Sequence, residues 1–345
     1  YTAAIEPGLR SLPVMALSLR DSDFFGENGI YTIASLSGRA QEVEVSVEYF
    51  NPADGRSVQT AAGIRIHGGN ARTHPKKPLR LYFRDAYGDR KLDFPLFDGS
   101  PVASFDQLLL RPGGHDSWSL ADVFGAESTD LPPHATFMRD QFLRRTESAI
   151  GLLSPRGRYV NLFINGRYWG LYDLHERANA TFFADHLGGD EEDFDVVHHP
   201  EFVGDTYSVV DGTGASWEAL VAQAVQGAEG TQAYGEIGEM LVIDDFIDHM
   251  IVRMWAGDYD WCGPIFRGAE DVTVFGSKNW YAGRRSRGGQ PDGYRLFTWD
   301  GEMSMGNHLM INLSGFPVAQ RVTNFDLTRA SDAGSPAGLY DALKR

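Results

Sequence analysis

The segment that most limits how this chain can fold is RYVNLFINGRYWGLYDLHE, residues 158–176. Two aromatic-rich runs flank the pair Asn165-Gly166. Asn-Gly is a strong signal for a type I′ turn, whose twist matches that of two paired antiparallel strands. The segment therefore predicts a long β-hairpin near the middle of the chain, and the fold must include a sheet that contains this hairpin.

Further strands are predicted before the hairpin. Within residues 12–66, the runs VMALSL, GIYTIASL and EVEVSVEYF alternate or are continuously apolar. AGIRIHGGNARTHPKKPLRLYF then predicts a strand, a Gly-rich loop and a second strand, in which Leu79, Leu81 and Phe83 share one face. FDQLLLRPGGHDSW predicts another buried strand that ends in a polar loop.

Helices are predicted on both sides of the hairpin. Residues 136–151 carry an apolar stripe formed by Phe137, Phe142, Ala149 and Ile150. DDFIDHMIVRMWAG predicts a helix with Phe246, Met250, Ile251, Met254 and Trp255 inward, and NATFFADHLGG a short capped helix. The acidic, Gly-rich residues 190–215 are expected to form a long loop, and KNWYAGRR and YRLFTWD to form strands.

This order predicts an α+β protein with two lobes and a cleft between them. We expect a strand-rich N-lobe over residues 1–175, with an N-terminal β extension over about 1–60. A helical C-lobe would follow over 176–345, incomplete at its C-terminal end.

Composition excludes several classes of protein. The 345 residues are 42% hydrophobic and 12% aromatic, as in a folded globular protein. The formal charge of −16 argues against non-specific binding of nucleic acid, which needs a basic surface. The single cysteine, Cys262, excludes an intrachain disulfide framework. No apolar run approaches the ~20 residues of a membrane span, no signal peptide is visible, and we expect a piece of a longer, processed protein.

Two groups of acidic residues are candidates for chemistry. In FTWDGEMSMG an apolar run is followed by Asp300 and Glu302 on either side of Gly301 in a predicted turn. The two carboxylates either bind a metal ion together or belong to an ordinary acidic turn. Asp258 and Asp260 follow a helix, where a cation would be preferred, and this anomaly favours a function. His198, His199 and the other histidines form no zinc pattern and are interpreted as scattered surface or core residues. No Walker A motif, nucleophile elbow or dinucleotide fingerprint is present.

Seven motifs occur in an order that resembles the CotH kinase family, named for the spore coat protein H of bacilli. They are GIRIHGGNARTHPKKPLRLYFRDAYG, LLLRPGGHDSW, MRDQF, FINGRYWGLYDLHERAN, GDYDW, KNWYAGRR and WDGEMSMG, and the resemblance covers roughly residues 12–345. It implies an atypical protein-kinase-like fold that binds ATP, and this sequence looks like the large, secreted type found in environmental bacteria.

The resemblance also implies metal-binding and catalytic residues. Asp300 resembles the family's metal-binding Asp, and Asn279 the Asn that completes a site for Mg²⁺ or Mn²⁺. Glu302 stands where the family usually has a second Asp, which is a departure. Asp260 resembles the base that accepts the substrate proton, with Asp258 as a nearby substitute. The eighteen residues between 260 and 279 indicate an insertion, which weakens the match at Asn279.

Residues that would hold the nucleotide follow from the same resemblance. Lys76 resembles the phosphate-contacting lysine, and strand parity favours it over Lys77, which shares the parity of the buried leucines. Arg139 or Asp140 is expected to orient this lysine. The remaining candidates are the loop residues Gly68, Gly69 and Asn70, the cation Arg72, and Glu176 near the adenine.

The activity implied is transfer of the ATP γ-phosphoryl group to a hydroxyl of an extracellular or cell-surface protein. Transfer of a whole nucleotide stays open, since kinase-like folds can do either. One alternative is a non-catalytic, kinase-like structural or adhesion module of a long surface protein. Another is a carbohydrate-binding domain, because aromatics and paired acids also suit glycans. The partners expected are a nucleotide and a protein substrate, without nucleic acid or a membrane span.

Overall fold

The computed structural model describes residues 2–118, 135–200, 205–227, 231–258, 261, 278–306 and 335–343. The chain divides into two compact units, one of Tyr1–Pro132 with Pro155–Arg177 and one of Pro133–Ser154 with Ala178–Arg345. Helices and strands both contribute, so the predicted α+β class is confirmed. The two-lobed, kinase-like arrangement and the boundary at 175/176 stay predictions.

The first unit is built on a closed barrel of seven strands in the order β1-β2-β3-β4-β7-β9-β8. Neighbouring strands are antiparallel except for β1 and β8, which are parallel and close the barrel. The strands are β1 (Val14–Ser18), β2 (Val43–Phe50), β3 (Ser57–Ile66), β4 (Leu79–Tyr82), β7 (Gln107–Arg111), β8 (Gly157–Ile164) and β9 (Arg167–Glu176). A separate small sheet pairs β5 (Leu92–Asp93) with β6 (Ser104–Phe105).

Strand alternation fills the barrel as the sequence predicts. Leu79, Leu81 and Phe83 are all buried, and they join the core with alternate residues of the other strands. Because successive side chains of a strand point to opposite faces, the intervening residues of β4 point out of the barrel. The barrel interior is therefore apolar, and its polar residues lie on the outer face.

The hairpin formed by β8 and β9 matches the prediction. Asn165 and Gly166 have φ angles of +50° and +75°, as a type I′ turn requires. The Asn165 Oδ1 also accepts a hydrogen bond of 2.9 Å from the backbone N–H of Leu19. The turn residue thus ties the hairpin to the segment after β1, the strand that pairs with β8.

The predicted N-terminal β extension is only partly correct. Helices α1 (Thr2–Ser11) and α2 (Asp21–Phe25) flank β1. The run GIYTIASL, residues 29–36, forms turns instead of a strand, and the N–H of Ile33 bonds to the carbonyl of Gly29. Ile30 and Ala34, four residues apart, are the buried pair, which is a helix-like spacing that the apolar run concealed.

The second unit combines helices with a four-stranded sheet in the order β11-β10-β12-β13. Its strands are β10 (Phe194–His198), β11 (Ser208–Asp211), β12 (Trp280–Arg285) and β13 (Arg295–Thr298). Its helices are α3 (Arg139–Ala149), α4 (Ala180–Leu187), α5 (Ala215–Gln226), α6 (Thr231–Met240), α7 (Ile243–Trp255) and α8 (Pro336–Leu343). The core contains Trp217 stacked on Trp280 at 5.2 Å, with Tyr294 edge-on.

Two predictions for this unit are wrong. The stretch 190–215 contains β10 and β11 instead of being a long loop, because its acidic residues conceal the short apolar run at the start. On α3 the predicted apolar stripe is misplaced, since Phe142 is 46% exposed. On α7 the prediction is correct for Phe246 and Met250, which are buried, and wrong for Ile251 and Trp255, which are exposed by 58% and 55%.

The face that α3 buries is largely polar, and the face that α7 buries combines apolar residues with a histidine and an arginine. They comprise Asp140, Gln141, Leu143, Arg144 and Glu147 on α3, and Phe246, His249, Met250, Val252 and Arg253 on α7. Hydropathy alone orients such helices wrongly, because the buried charges are stabilised by partners that are distant in sequence.

We predict that Gly166→Ala destabilises the first unit by about 1 kcal/mol, the cost of a left-handed residue with a Cβ. Nothing lies within 4 Å of the added Cβ at Gly166, so the cost comes from the backbone alone. Gly8→Ala, in helix α1 and equally open, should leave stability unchanged or raise it. Urea unfolding of both variants tests this, and equal effects would contradict it.

Candidate functional site

The adjoining ends of β12 and β13 bring together two of the predicted site residues. Trp280 pairs with Thr298 in the ladder, and the N–H of Trp299 donates to the carbonyl of Asn279 at 3.3 Å. Asn279 therefore immediately precedes β12, and Asp300 lies just beyond the end of β13, at the same end of the sheet. Residues 21 positions apart in sequence thus meet at one end of the sheet of the second unit.

Both residues have left-handed backbones. The φ angle is +60° at Asn279 and +56° at Asp300. Asn and Asp are the non-glycine residues that tolerate this conformation best, though it still costs free energy. Such strain tends to persist at functional sites, where the surrounding structure imposes it. Here it occurs at two residues with oxygen-bearing side chains whose backbones adjoin at the ends of paired strands.

Helix α3 holds the turn that follows Asp300. The N–H of Gly301 donates to Asp140 Oδ1 at 2.8 Å, and Arg144 Nε donates to Asp140 Oδ2 at 3.0 Å. A Cβ on Gly301 would approach Leu143 Cδ1 to 2.7 Å, so glycine allows the turn to pack closely against α3 without displacing that side chain. Asp140 was predicted, as an alternative to Arg139, to orient Lys76. Within the second unit its carboxylate positions the Asp300 turn, and its role towards Lys76 stays a prediction.

Arg253 links Asp258 to Asn279. Its Nη1 lies 2.9 Å from Asp258 Oδ2, with both side chains fully buried, and its Nη2 donates to the Asn279 carbonyl at 3.0 Å. Removing either partner of a buried ion pair leaves an uncompensated charge. The guanidinium thus fixes Asp258 relative to the start of β12. Asp260, the predicted base, lies outside the described residues.

The donors available for a metal are oxygens. Glu302, the departure from the family pattern, is buried in the same turn as Asp300. Within the part of the chain that the structure describes, no three His, Cys, Asp or Glu side chains group as a metal site. A carboxylate and an amide oxygen nevertheless fit Mg²⁺, which commonly takes one or two protein ligands and completes its shell with phosphate and water.

His199 is a residue of this site that the sequence did not reveal. Its N–H donates to the Trp280 carbonyl at 3.2 Å, and its ring packs edge-on against His198, which stacks on Tyr281. Burial lowers the pKa of His199 to about 3, although the nearby Asp300 acts in the opposite direction. The imidazole is therefore neutral. The sequence signal would have been the strand β10, because it ends at His198 and pairs with β12, and so brings His199 next to the start of β12.

Glu147, also missed, is a buried acceptor that joins three parts of the second unit. Its carboxylate accepts hydrogen bonds from His249 Nδ1 at 2.8 Å, Thr298 Oγ1 at 2.7 Å and Ser154 Oγ at 3.0 Å. The Thr298 N–H also donates to it, at 2.9 Å. Glu147 thereby anchors the end of β13, two residues before Asp300.

In the first unit, Lys76 lies in a partly buried setting. Its Nζ donates to the Leu171 carbonyl at 2.8 Å and sits 4.7 Å from the centre of the Tyr172 ring. Burial lowers the pKa of Lys76 to about 8. The amine is therefore still mainly charged at neutral pH and able to bind an anion.

Lys77 has a different environment, in agreement with strand parity. Its side chain is buried, and its Nζ donates to the carbonyls of Arg72 at 2.6 Å and His74 at 3.0 Å. It also lies 4.8 Å from the Tyr31 ring. Lys77 therefore holds the loop between β3 and β4.

The Gly-rich loop is fixed by Arg72. The guanidinium donates to the carbonyls of Gly68, Ala34 and Leu36. Gly68 has a φ of +86°, and Gly69 is exposed with nothing within 4 Å of an added Cβ. Arg72 therefore fixes the loop, while Gly69 within it stays exposed. A short 3₁₀ turn begins at Asn70.

Glu176, the last residue of β9, is buried. Its Oε2 accepts a hydrogen bond of 2.7 Å from the N–H of Arg156, and its own N–H donates to the Arg156 carbonyl. The carboxylate therefore fastens the end of β9 to the segment before β8. Its predicted role near an adenine stays a prediction.

Comparison with known proteins supports the resemblance found in the sequence. The model of the family described as CotH kinase protein matches residues 64–327, which is most of the chain. A search of curated proteins found no match. Among the described helices, none has the length and apolar character to cross a membrane.

We predict that Glu147→Ala lowers the free energy of unfolding by about 3–5 kcal/mol, because buried donors on His249 and Thr298 lose their acceptor. Ser154→Ala removes one donor to the same carboxylate and should cost about 1 kcal/mol. Urea unfolding of both variants measures this difference. If both variants lowered the free energy of unfolding by similar amounts, Glu147 would not be the shared acceptor that stabilises these three segments.

We also predict a pH dependence from Lys76. Its pKa is about 8 in the folded chain, against an ordinary value of 10.5. Between these values the unfolded chain binds a proton that the folded chain does not, so the free energy of unfolding should rise with pH. Lys76→Met should abolish this rise. Urea unfolding at several pH values gives the difference in the free energy of unfolding between wild type and variant. If that difference does not change from pH 8 to 10.5, the assignment is contradicted.

Proposed function

Because the chain belongs to the CotH kinase family, we propose that it transfers the γ-phosphoryl group of ATP to a protein hydroxyl. The observation that carries the proposal is the meeting of Asn279 and Asp300, both left-handed, at the ends of two paired strands. Phosphoryl transfer needs oxygen ligands for a metal at a fixed position. These two residues offer such ligands, and buried contacts hold both in place.

Asp300 and Asn279 are the proposed metal ligands, and Glu302 assists them. When bound, Mg²⁺ or Mn²⁺ would neutralise charge on the phosphates of ATP. The protein's own contribution is positioning. Asp140 fixes the Asp300 turn through Gly301, and the Asn279 backbone is fixed by a hydrogen bond to the adjoining strand.

Asp260 is the proposed base that accepts the proton of the acceptor hydroxyl. The pairing of Asp258 with Arg253 supports this choice. A carboxylate engaged in a fully buried ion pair is poorly placed to take up a proton from substrate. Asp258 is accordingly assigned to positioning.

Lys76 is the proposed contact to the nucleotide phosphates. Its partly buried amine donates to the Leu171 carbonyl and keeps a positive charge at neutral pH, and Lys77 and Arg72 hold the loop between β3 and β4. Gly68, Gly69 and Asn70 would offer backbone N–H groups to phosphate. Glu176 is the proposed neighbour of the adenine.

The acceptor is proposed to be an extracellular or cell-surface protein, following the resemblance to the exported members of the family. The principal alternative is a non-catalytic module on the same scaffold. It is favoured by one observation: the position of the family's second acid is filled by Glu302, which is buried.

Calorimetry with ATP, with and without Mg²⁺ or Mn²⁺, tests the proposal. Wild type should bind ATP in a metal-dependent manner, and Asp300→Ala should lose most of that dependence because a charged ligand is removed. Asp248→Ala, which removes an acid of helix α7 that has no proposed role, should bind like wild type.

Metal-dependent binding that is lost in Asp300→Ala alone would justify a search for the acceptor with labelled ATP. Folded wild-type protein that binds no ATP with either metal would overturn the catalytic proposal and leave the non-catalytic module. Equal losses in both variants would show that general charge, and not a metal ligand at Asp300, governs binding.

A further inference from the structure

Helices α3 and α7 together carry an exposed apolar patch on the second unit. It consists of Phe142 on α3 and of Ile247, Ile251 and Trp255 on α7, and their exposed fractions are 46%, 45%, 58% and 55%. The three α7 residues are spaced four apart, so they lie along one face of that helix. The Phe142 ring lies 6.2 Å from the Trp255 ring. These four residues, here called the α3–α7 patch, therefore form one continuous surface.

The α3–α7 patch has the size of the centre of an interface. Single exposed apolar side chains are ordinary, whereas a contiguous patch of several hundred Å² marks an interaction site. The four side chains together expose on the order of 400 Å², since an aromatic residue alone contributes up to about 150–250 Å² when fully accessible. A standard interface buries about 800 Å² on each partner and surrounds its apolar centre with a polar rim. The patch therefore needs a polar or charged rim to form a specific contact.

Two exposed charges of opposite sign lie beside the patch. Arg145 comes one turn after Phe142 on the same face of α3. Asp244 comes one turn before Ile247, in the first turn of α7. Within the ranges that the structure describes, neither Arg145 nor Asp244 takes part in an ion pair. The rim thus carries a basic group on one helix and an acidic group on the other.

Helices α3 and α7 lie side by side and run in opposite directions. Glu147 of α3 bonds to His249 of α7, whereas Phe142, earlier in α3, contacts Trp255, later in α7. A two-fold axis in the plane of the patch and along the helices would place α3 of one copy on α7 of a second copy. The same rotation places α3 of the second copy on α7 of the first, so every contact occurs twice.

This arrangement matches the chemistry of the patch. Apolar residues of the two copies meet at the centre, and Arg145 of each copy lies at the same end of the interface as Asp244 of the other. In a chain with a formal charge of −16, two copies repel each other at long range. A pairing that brings opposite charges together is therefore favoured over one that sets α7 against α7.

We propose that the α3–α7 patch binds a second copy of this chain in a two-fold symmetric dimer, with α3 of each copy on α7 of the other. Charge complementarity favours a second copy as the partner, because the patch itself carries both signs of charge that such a pair requires. Its exposed apolar area is about half of what one side of a standard interface buries, so the dimer should be weak, with a Kd in the micromolar range. The inference does not depend on the proposed kinase activity, since neither nucleotide nor metal takes part.

Sedimentation equilibrium of the full chain over a range of concentrations, without nucleotide or metal, tests the dimer. Wild type should show a reversible equilibrium between monomer and dimer. Ile251→Lys should raise Kd at least about tenfold, because a charge enters the apolar centre twice in the symmetric pair. Val225→Lys is the matched control. Val225 is 60% exposed on helix α5 of the same unit, and its substitution should change Kd less than about twofold.

Exchange of the two rim charges tests which helices meet. Arg145→Asp and Asp244→Arg should each raise Kd at least about fivefold, because like charges then face each other in both halves of the pair. An equimolar mixture of these two variants should form a mixed dimer about as tight as wild type. In the mixed dimer the two introduced charges face each other in one half, and the unchanged Arg145 and Asp244 face each other in the other half. Urea unfolding of each variant verifies that the chain is folded.

Each outcome supports or overturns the dimer. Reversible dimerisation that is weakened by Ile251→Lys and by both charge variants, and is recovered in the mixture, supports it. Equal effects of Ile251→Lys and Val225→Lys, charge variants as tight as wild type, or no recovery in the mixture would overturn this pairing. A wild-type monomer at every concentration would also overturn it and assign the patch to a different partner. None of these results depends on ATP binding, so failure of the dimer and failure of the kinase proposal are distinguishable.

Discussion

The carboxylate of Glu147 is the contact on which the second unit depends. It is fully buried, and it accepts hydrogen bonds from α7 through His249, from the end of β13 through Thr298, and from Ser154. A buried carboxylate is costly to desolvate, and it is tolerated only when its oxygens are satisfied. The same bonds that satisfy Glu147 fix the strand end that leads to Asp300. Stability of the fold and position of the candidate metal ligand are thus set by the same interaction.

Two further buried side chains, Asp140 and Arg253, fix the residues next to the ends of β12 and β13. Asp140 holds the Gly301 turn, while Arg253 joins Asp258 to the backbone of Asn279. Helices α3 and α7 therefore point charged and polar residues inward and leave Phe142 and Trp255 on the surface, in contact with each other at 6.2 Å. Both helices bury charged groups that position neighbouring segments, as expected where a fold serves a site.

The sequence predicted what depends on local signals. Asn165-Gly166 specified the hairpin, alternation specified β2 and β4, and Asn179 specified the start of α4 through its cap. It could not predict that Glu147 and Arg253 are inward, because their partners lie far away in the chain. Only the family resemblance points to the proximity of Asn279 and Asp300, and the acidic residues around β10 conceal the strand that precedes His199. The positions of these residues depend on contacts between segments that are distant in sequence, and local secondary-structure propensity does not reveal such contacts.

The parallel pairing of β1 with β8 has a consequence for how the chain is made. Val14 lies opposite Asn161, and β9 stands between β7 and β8, so the barrel cannot close until both β8 and β9 have been synthesised. Until then the edges of β1 and β7 have no partners, and α3 has emerged before most of the unit it belongs to. Contacts between such distant segments are slow to form, and unpaired strand edges invite association between nascent chains. A chain that ends before residue 176 would therefore carry two open sheet edges, and the need for chaperones is greatest in the interval before β9 is complete.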